Sequence, residues 1–276
     1  MNSRKYIVTS VPFADWDERL NKMLNGDDLL PNLTYVKKLE DVNCDSATAL
    51  IVLNPKQYIN SSYREALILN SNNDVITTLS NKCLFAKFMM ENFADFVPKT
   101  IHINLPNYSY VDSDYLSDRK NGKSRKMIVK PARGAGGRGI SIVHEIPNTK
   151  DHIVVSDYVE HTEHYAGHMI INRGKILKQI YFRENTDGTS EFIKRGRTLN
   201  YVELETHDMI NELNVNLSIF ENIFKHLDYS GFVCIDFIIK DRKPIIFEIN
   251  PRPGGSLIHN ERRCLEFFKT IISNGL

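Results

Sequence analysis

Apolar residues recur along this chain in two rhythms. Short unbroken runs, YIVTS at 6–10 and ALIVL at 49–53, predict buried strands, while the spacing turns helical over 14–25 and over 61–70, where SSYREALILN opens on capping residues. A further helix is predicted after Ser80, with Leu84, Phe85, Phe88 and Met89 along one stripe and Val97-Pro98 as its end. Residues 104–126 are polar and keep neither period, which predicts a surface loop or insertion. Tyr108, Tyr110 and Tyr115 inside it suit packing against a neighbouring surface better than stacking on a ligand. From 127 onward strands dominate: MIVK, ISIVH, HIVVSDYV, YAGHMIIN and KILKQIYF, then a helix over 208–227, then GFVCIDFII and IIFEIN.

This order predicts an α/β (α+β) protein in three pieces, 1–79, 80–157 and 158–276, the first a small α/β unit. At 276 residues, 42% hydrophobic and 25% charged, the chain is long enough for a sizeable core and has an ordinary globular composition. A formal charge of +1 gives no field that recruits nucleic acid or an acidic membrane, so a small or neutral partner is favoured. The opening MNSRKYIVTSVPF holds no apolar segment of signal-peptide length, and no run approaches the roughly 20 apolar residues of a membrane span, which predicts a cytoplasmic location. Four scattered cysteines, Cys44, Cys83, Cys234 and Cys264, form no CxxC pair and suit reduced thiols.

The first chemical signal is MIVKPARGAGGRGISIV, residues 127–143. Gly134, Gly136 and Gly139 match G-x-G-x-x-G, with Gly137 between them, but a dinucleotide fold needs a helix directly after the loop and ISIV reads as a strand. A strand, glycine loop and strand make either a mobile hairpin turn or a flap whose N–H groups close on phosphates. The kinase signatures H-R-D and D-F-G are absent. Lys130 at the base of the loop would offset phosphate charge; alone, it would read as a solvated side chain.

The second signal is GFVCIDFIIKDRKPIIFEINPRPGGS, residues 231–256, two antiparallel strands joined through KDRKP. With those residues as the loop, position 239 faces 245 and Asp236 falls opposite Glu248 on one face, their Cβ atoms about 4.5–5.5 Å apart. Carboxylates that close repel unless a proton, an arginine or a metal lies between them. Asn250 points the same way by alternation, and an all-oxygen set suits Mg²⁺ or Mn²⁺, not zinc. The opposite face, Ile245, Phe247 and Ile249, is predicted to anchor the hairpin in the core. His161, His164 and His168 raise a second metal question, but only His164 and His168 share a strand face, so hydrogen-bonded or solvated histidines fit better.

Together these residues resemble the ATP-grasp superfamily over about 80–260, with 1–79 similar to the more variable domain that precedes the grasp. The resemblance implies two lobes clasping ATP. Asn81-Lys82 resembles the family's first phosphate lysine, and IVKPARGAGGRGI its second, Lys130, with the phosphate flap of Gly134, Gly136, Gly137 and Gly139. VVSDYVEHTEH resembles the adenine hinge, so that Asp157 and Val159 would present backbone groups to the base and Glu163 would accept from ribose hydroxyls. FEINPRPGGS resembles the E-x-N metal motif, making Asp236, Glu248 and Asn250 the metal ligands and Arg252 a catalytic residue near substrate or the developing anion. Two departures stand out. Cys234 occupies the place of an arginine in the family's D-alanine–D-alanine ligases, and Ser156 replaces an acid common at the start of the hinge.

The resemblance implies a carboxylate–amine ligase of amino-acid or peptide type. ATP with Mg²⁺ or Mn²⁺ would convert a carboxylate to an acyl phosphate that an amine then captures, with Lys130 acting at the phosphates. Arg183, Lys194, Arg195 and Arg197 are candidates for holding substrate carboxylate or γ-phosphate, or form a solvated basic loop. The partners implied are small-molecule carboxylate and amine substrates, with a homodimer possible in principle. The alternatives are an ATP-grasp kinase acting on a hydroxyl, and a nucleotide-binding module without turnover.

Overall fold

The computed structural model describes residues 4–9, 14–25, 30–38, 41, 48–53, 67–68, 73–134, 137–185 and 201–275. Its first unit pairs β1 (Lys5–Thr9), α1 (Ala14–Asn25), β2 (Leu33–Val36), β3 (Thr48–Val52) and β4 (Leu67–Ile68), with the strands parallel in the order β2-β1-β3-β4. Helix α1 buries Trp16, Leu20, Met23 and Leu24, the spacing of one helical face. The helix expected over 61–70 is corrected at its core, because Leu67 and Ile68 pair with Ala49 and Leu50 as a strand. A short apolar run is ambiguous between a buried parallel strand and a helix, since neither leaves a polar face. Residues 61–66 and 69–70 lie outside the described residues.

Two helices follow, α2 (Asn73–Ser80), which the pattern did not announce, and α3 (Lys82–Asn92). Asn81 caps α3, its side chain accepting from the Cys83 and Leu84 N–H groups at 3.0 and 3.3 Å. Phe85 and Met89 are buried, and Leu84 and Phe88 are partly so. A second sheet, ordered β6-β5-β9-β7-β8 and antiparallel throughout, comprises β5 (Thr100–Leu105), β6 (Tyr108–Val111), β7 (Met127–Pro131), β8 (Ser141–Val143) and β9 (Ile153–Asp157). The surface loop expected over 104–126 is therefore wrong: β6 and α4 (Ser113–Lys120) fill most of it. Asp112 caps α4 through the Tyr115 N–H at 2.9 Å and pairs with Lys99 at 3.1 Å, while Tyr115 itself packs in the core of this lobe. One buried tyrosine beside an exposed Leu116, on a helix whose other residues are polar, leaves almost no periodic signal.

The third sheet, β12-β11-β10-β13-β14, is antiparallel and built from β10 (Glu163–Asn172), β11 (Lys175–Asn185), β12 (Tyr201–Leu204), β13 (Gly231–Lys240) and β14 (Lys243–Asn250). It is covered on both faces, which is why its strands read as nearly continuous apolar runs. Ala166, Ile170, Phe182 and Phe232 pack with the first unit, α6 (Gly255–Ile258) and α7 (Glu261–Ser273). Tyr165, Met169, Tyr181 and Phe237 pack with α3 and α5 (Ser218–His226). The single helix expected over 208–227 is two segments, a wide turn at Asp208–Glu212 and α5, interrupted where Asn214 takes φ +50°.

The hairpin that carries the two acids corrects one expectation and keeps another. Its turn is tight: Lys240 pairs with Lys243 across Asp241 and Arg242, both at positive φ (+52° and +61°), so Ile239 faces Pro244 and not position 245. That register alone would set Glu248 one place out. A β-bulge restores it, since Phe237 faces Ile246 while Asp236 faces Glu248, leaving Phe247 as the extra residue. The bulge also switches the faces: Ile246 and Ile249 both enter the core, and Phe247, expected there, turns toward the cleft.

Candidate active site

A cleft of about 310 Å³ opens between the second and third sheets and is bordered by residues of both, together with Trp16 from α1. Lys82 and Lys130 enter from one side. The Lys82 N–H donates to the Ala132 carbonyl at 2.9 Å, which ties the start of α3 to the exit of β7 and brings the two lysines together. Lys82 Nζ lies 2.8 Å from Glu248 Oε2 and 3.4 Å from the Gly134 carbonyl; Lys130 Nζ donates to the Phe247 carbonyl at 3.3 Å and sits 5.2 Å from that ring's centre. The bulge therefore supplies an acceptor and an aromatic face to a cation from the other lobe. Burial pulls the Lys130 ammonium down to about 8, because the Glu248 and Asp236 carboxylates offset only part of the lost hydration and Lys82 adds repulsion.

Asp236, Glu248, Asn250 and Arg252 all border the cleft. Asn250 Nδ2 donates to Glu248 Oε1 at 2.9 Å and Asp236 Oδ2 at 3.4 Å, so an amide bridges the two acids. Burial alone would raise the Glu248 carboxyl, but Lys82, the Asn250 hydrogen bond and Lys130 outweigh it and hold Glu248 well below the usual range. Among the described residues no three His, Cys, Asp or Glu side chains cluster as a metal site. The set here is two carboxylates and one amide, whose oxygens fit a hard divalent cation. Arg252 is held by the Pro253 carbonyl at 2.9 Å and Asn250 Oδ1 at 3.4 Å, with its guanidinium 5.8 Å from the Trp16 ring centre.

The glycine loop meets the cleft through Gly134 and Gly137, the latter at φ +72°. Gly139 instead packs on Pro131, in a groove behind the sheet, and Gly136 lies outside the described residues. Asp157 and Val159 border the cleft, although the Asp157 carboxylate is engaged by Arg125 at 2.9 Å. Glu163 is not among the cleft-lining residues. It accepts from Tyr165 Oη at 2.6 Å and pairs with Arg183 at 3.3 Å, which occupies Arg183 as well. Lys194, Arg195 and Arg197 fall outside the described residues.

Several lining residues went unrecognised in the sequence: Trp16, Tyr201, Glu184, Phe247 and Ser256. Phe247 and Ser256 flank the E-x-N motif without a role of their own in it, Tyr201 and Glu184 belong to no motif, and Trp16 reads simply as the buried face of an amphipathic helix. The three histidines do not converge on one point. His161 Nδ1 meets the Val159 carbonyl at 2.7 Å, His164 Nδ1 lies 3.6 Å from Glu184 Oε2, and His168 Nε2 is 2.7 Å from Ser256 Oγ. The described cysteines, Cys83, Cys234 and Cys264, are free thiols, and no described helix is long and apolar enough to cross a membrane.

The family model described as an ATP-grasp domain matches residues 79–256. No curated protein sequence matches the chain. Among solved structures, D-alanine–D-alanine ligase from Bacillus anthracis is similar with a TM-score of 0.61 at 15% identity, covering 98% of this chain and 96% of that one. D-cycloserine synthetase DcsG gives 0.59 at 12%, covering 98% and 99%, and phosphoribosylamine–glycine ligase from Thermotoga maritima gives 0.56 at 14%, covering 91% and 69%. At such identities the likeness is one of fold, and it extends over all three sheets. With the family model spanning both lobes, the paired acids and the two lysines, the chain belongs to the ATP-grasp family.

Proposed function

We propose that this chain is an ATP-dependent carboxylate–amine ligase, activating a carboxylate as its acyl phosphate and joining it to an amine of amino-acid or peptide type. One observation carries the reading. Two acids paired in register on one lobe meet two lysines from the other, with Lys82 and Glu248 only 2.8 Å apart. That balance suits a triphosphate, whose charge the lysines take up as it enters.

Asp236, Glu248 and Asn250 are the residues that would hold Mg²⁺ or Mn²⁺, which when bound supplies charge neutralisation on the phosphates. Lys82 and Lys130 hold phosphate oxygens, and the backbone at Gly134, Gly137 and Arg138, which borders the cleft, offers its N–H groups to them. Asp157 and Val159 offer backbone groups to the base, and Arg252 faces the reacting carboxylate. Glu163 reaches ribose hydroxyls only after releasing Arg183. We assign 1–79, 80–157 and 158–276 as the preceding domain and the two grasping pieces, in a cytoplasmic enzyme.

The test is ADP release with Mg²⁺ over a panel of carboxylates and amines, supplied singly and in pairs. A ligase releases ADP only when both are present. ADP with a single hydroxyl substrate and a stable phosphorylated product identifies a kinase, and ATP binding without any turnover identifies a binding module. Glu248→Ala is expected to lower turnover by about a hundredfold or more while the chain stays folded. Unchanged activity removes Glu248 from the site.

A further inference from the structure

His168 is fully buried on β10, and both of its ring nitrogens are engaged. Nδ1 lies 3.3 Å from the Gly254 N–H, and a backbone N–H can only donate, so Nδ1 is the acceptor nitrogen. Burial, reinforced by the Arg252 cation, draws the imidazole down to about 3, so the ring is neutral at any physiological pH. Its single ring proton therefore sits on Nε2, 2.7 Å from Ser256 Oγ, and His168 donates to that oxygen.

The consequence falls on Ser256. It is 5% exposed, borders the cleft, and its hydroxyl oxygen lies 2.7 Å from His168 Nε2. With its oxygen already accepting, the hydroxyl has its own proton to give. The cradle is tight as well: a Cβ on Gly254 would stand 2.7 Å from His168 Cε1 and 2.6 Å from Cys234 Sγ, so only glycine lets the turn lie against the ring. Arg252 shares this turn and keeps its guanidinium beside Trp16 at the cleft wall.

We propose that His168 is a positioning residue that makes Ser256 an obligate hydrogen-bond donor, and that Ser256 and Arg252 together form an anion subsite for the carboxylate of an amino-acid substrate. The proposal rests on the ligase reading for its place in the reaction and names the substrate end of the same cleft. Phosphoryl oxygens share the acceptor chemistry of a carboxylate, so the test separates the two.

Trp16 is the chain's single tryptophan and stands beside Arg252, which makes its fluorescence a direct reporter. Glycine, L-alanine and D-alanine, each alongside its amide, are titrated with and without magnesium adenylyl imidodiphosphate; nucleotide affinity is measured separately by calorimetry. At least one amino acid is expected to change Trp16 emission, with its amide binding about tenfold or more weakly. Ser256→Ala weakens the acid by about tenfold and leaves nucleotide affinity unchanged. His168→Gln, which still donates to Ser256, retains most of the affinity that His168→Leu loses. Should the His168 variants fail to fold, Ser256→Ala and the acid–amide comparison decide the matter alone. Equal binding of acid and amide overturns the proposal, as does the absence of any amino-acid response. Loss of nucleotide affinity in Ser256→Ala reassigns the subsite to phosphate and also overturns it. Failure of the wild-type chain to bind nucleotide sinks the ligase reading and leaves the amino-acid titration legible.

Discussion

Lys130 ties nucleotide binding to pH. Its ammonium is held at about 8 in the free cleft, so about nine-tenths is charged at pH 7 and about one-tenth at pH 9. A bound triphosphate places negative charge against it and raises its pKa again. Binding must then take up about 0.1 proton at pH 7 and about 0.9 at pH 9, and affinity falls about tenfold between them, close to 1.4 kcal/mol. Glu248, held well below the usual carboxylate range by its lysines, stays charged throughout and adds nothing to this profile. The assay is calorimetry of magnesium adenylyl imidodiphosphate in buffers of different ionisation enthalpy, which counts the protons directly. Lys130→Arg serves as the control, because a guanidinium keeps its charge and flattens the profile. A pH-independent affinity with no proton uptake in the wild-type chain would refute the reasoning. Folding is linked in the other sense. Between pH 8 and the ordinary lysine range the unfolded chain holds more protons at this position, so the Lys130 contribution to stability rises with pH there.

The remaining predictions concern the scaffold around the cleft. Replacing Asp241-Arg242 by Asn-Gly, the pair suited to two positive-φ positions, should stabilise the acid-bearing hairpin by about 1 kcal/mol, read as a higher urea midpoint with an unchanged slope. Gly174→Ala should destabilise by about 2 kcal/mol or more, because the residue sits at φ +76° and its Cβ would meet the Lys225 Cα at 2.6 Å; an unchanged urea midpoint contradicts that packing. Deleting Phe247 removes the bulge while the two-residue turn still sets Glu248 opposite Asp236, so both acids keep the cleft face; turnover should nonetheless fall about tenfold because Lys130 loses the Phe247 carbonyl and ring, and unchanged activity would mean those contacts do not position Lys130.

What the sequence by itself determined was the chemistry and much of the scaffold. The glycine loop after Lys130, the E-x-N run with Asp236 across from it, and the strands β7 to β11, β13 and β14 were legible because each is carried by local spacing, whereas β12 was not anticipated. The Asp236–Glu248 pairing was anticipated for an incomplete reason. A loop longer than the real one gave the right register because a bulge at Phe247 makes up the difference, and neither the type of turn nor the bulge has a signature in KDRKPIIF.

Only the tertiary structure decided the rest, since it depends on contacts between residues far apart in the chain. Phe247 was expected in the core and lines the cleft; residues 104–126 fold into a strand and a helix around the buried Tyr115; and Leu67-Ile68 pairs with Ala49-Leu50 in a parallel sheet. Trp16, Glu184, Tyr201 and Ser256 enter the cleft from four separate elements with no shared motif. The protonation of Lys130 and of His168 likewise follows from burial and from neighbouring charges, which come into being only in the folded chain.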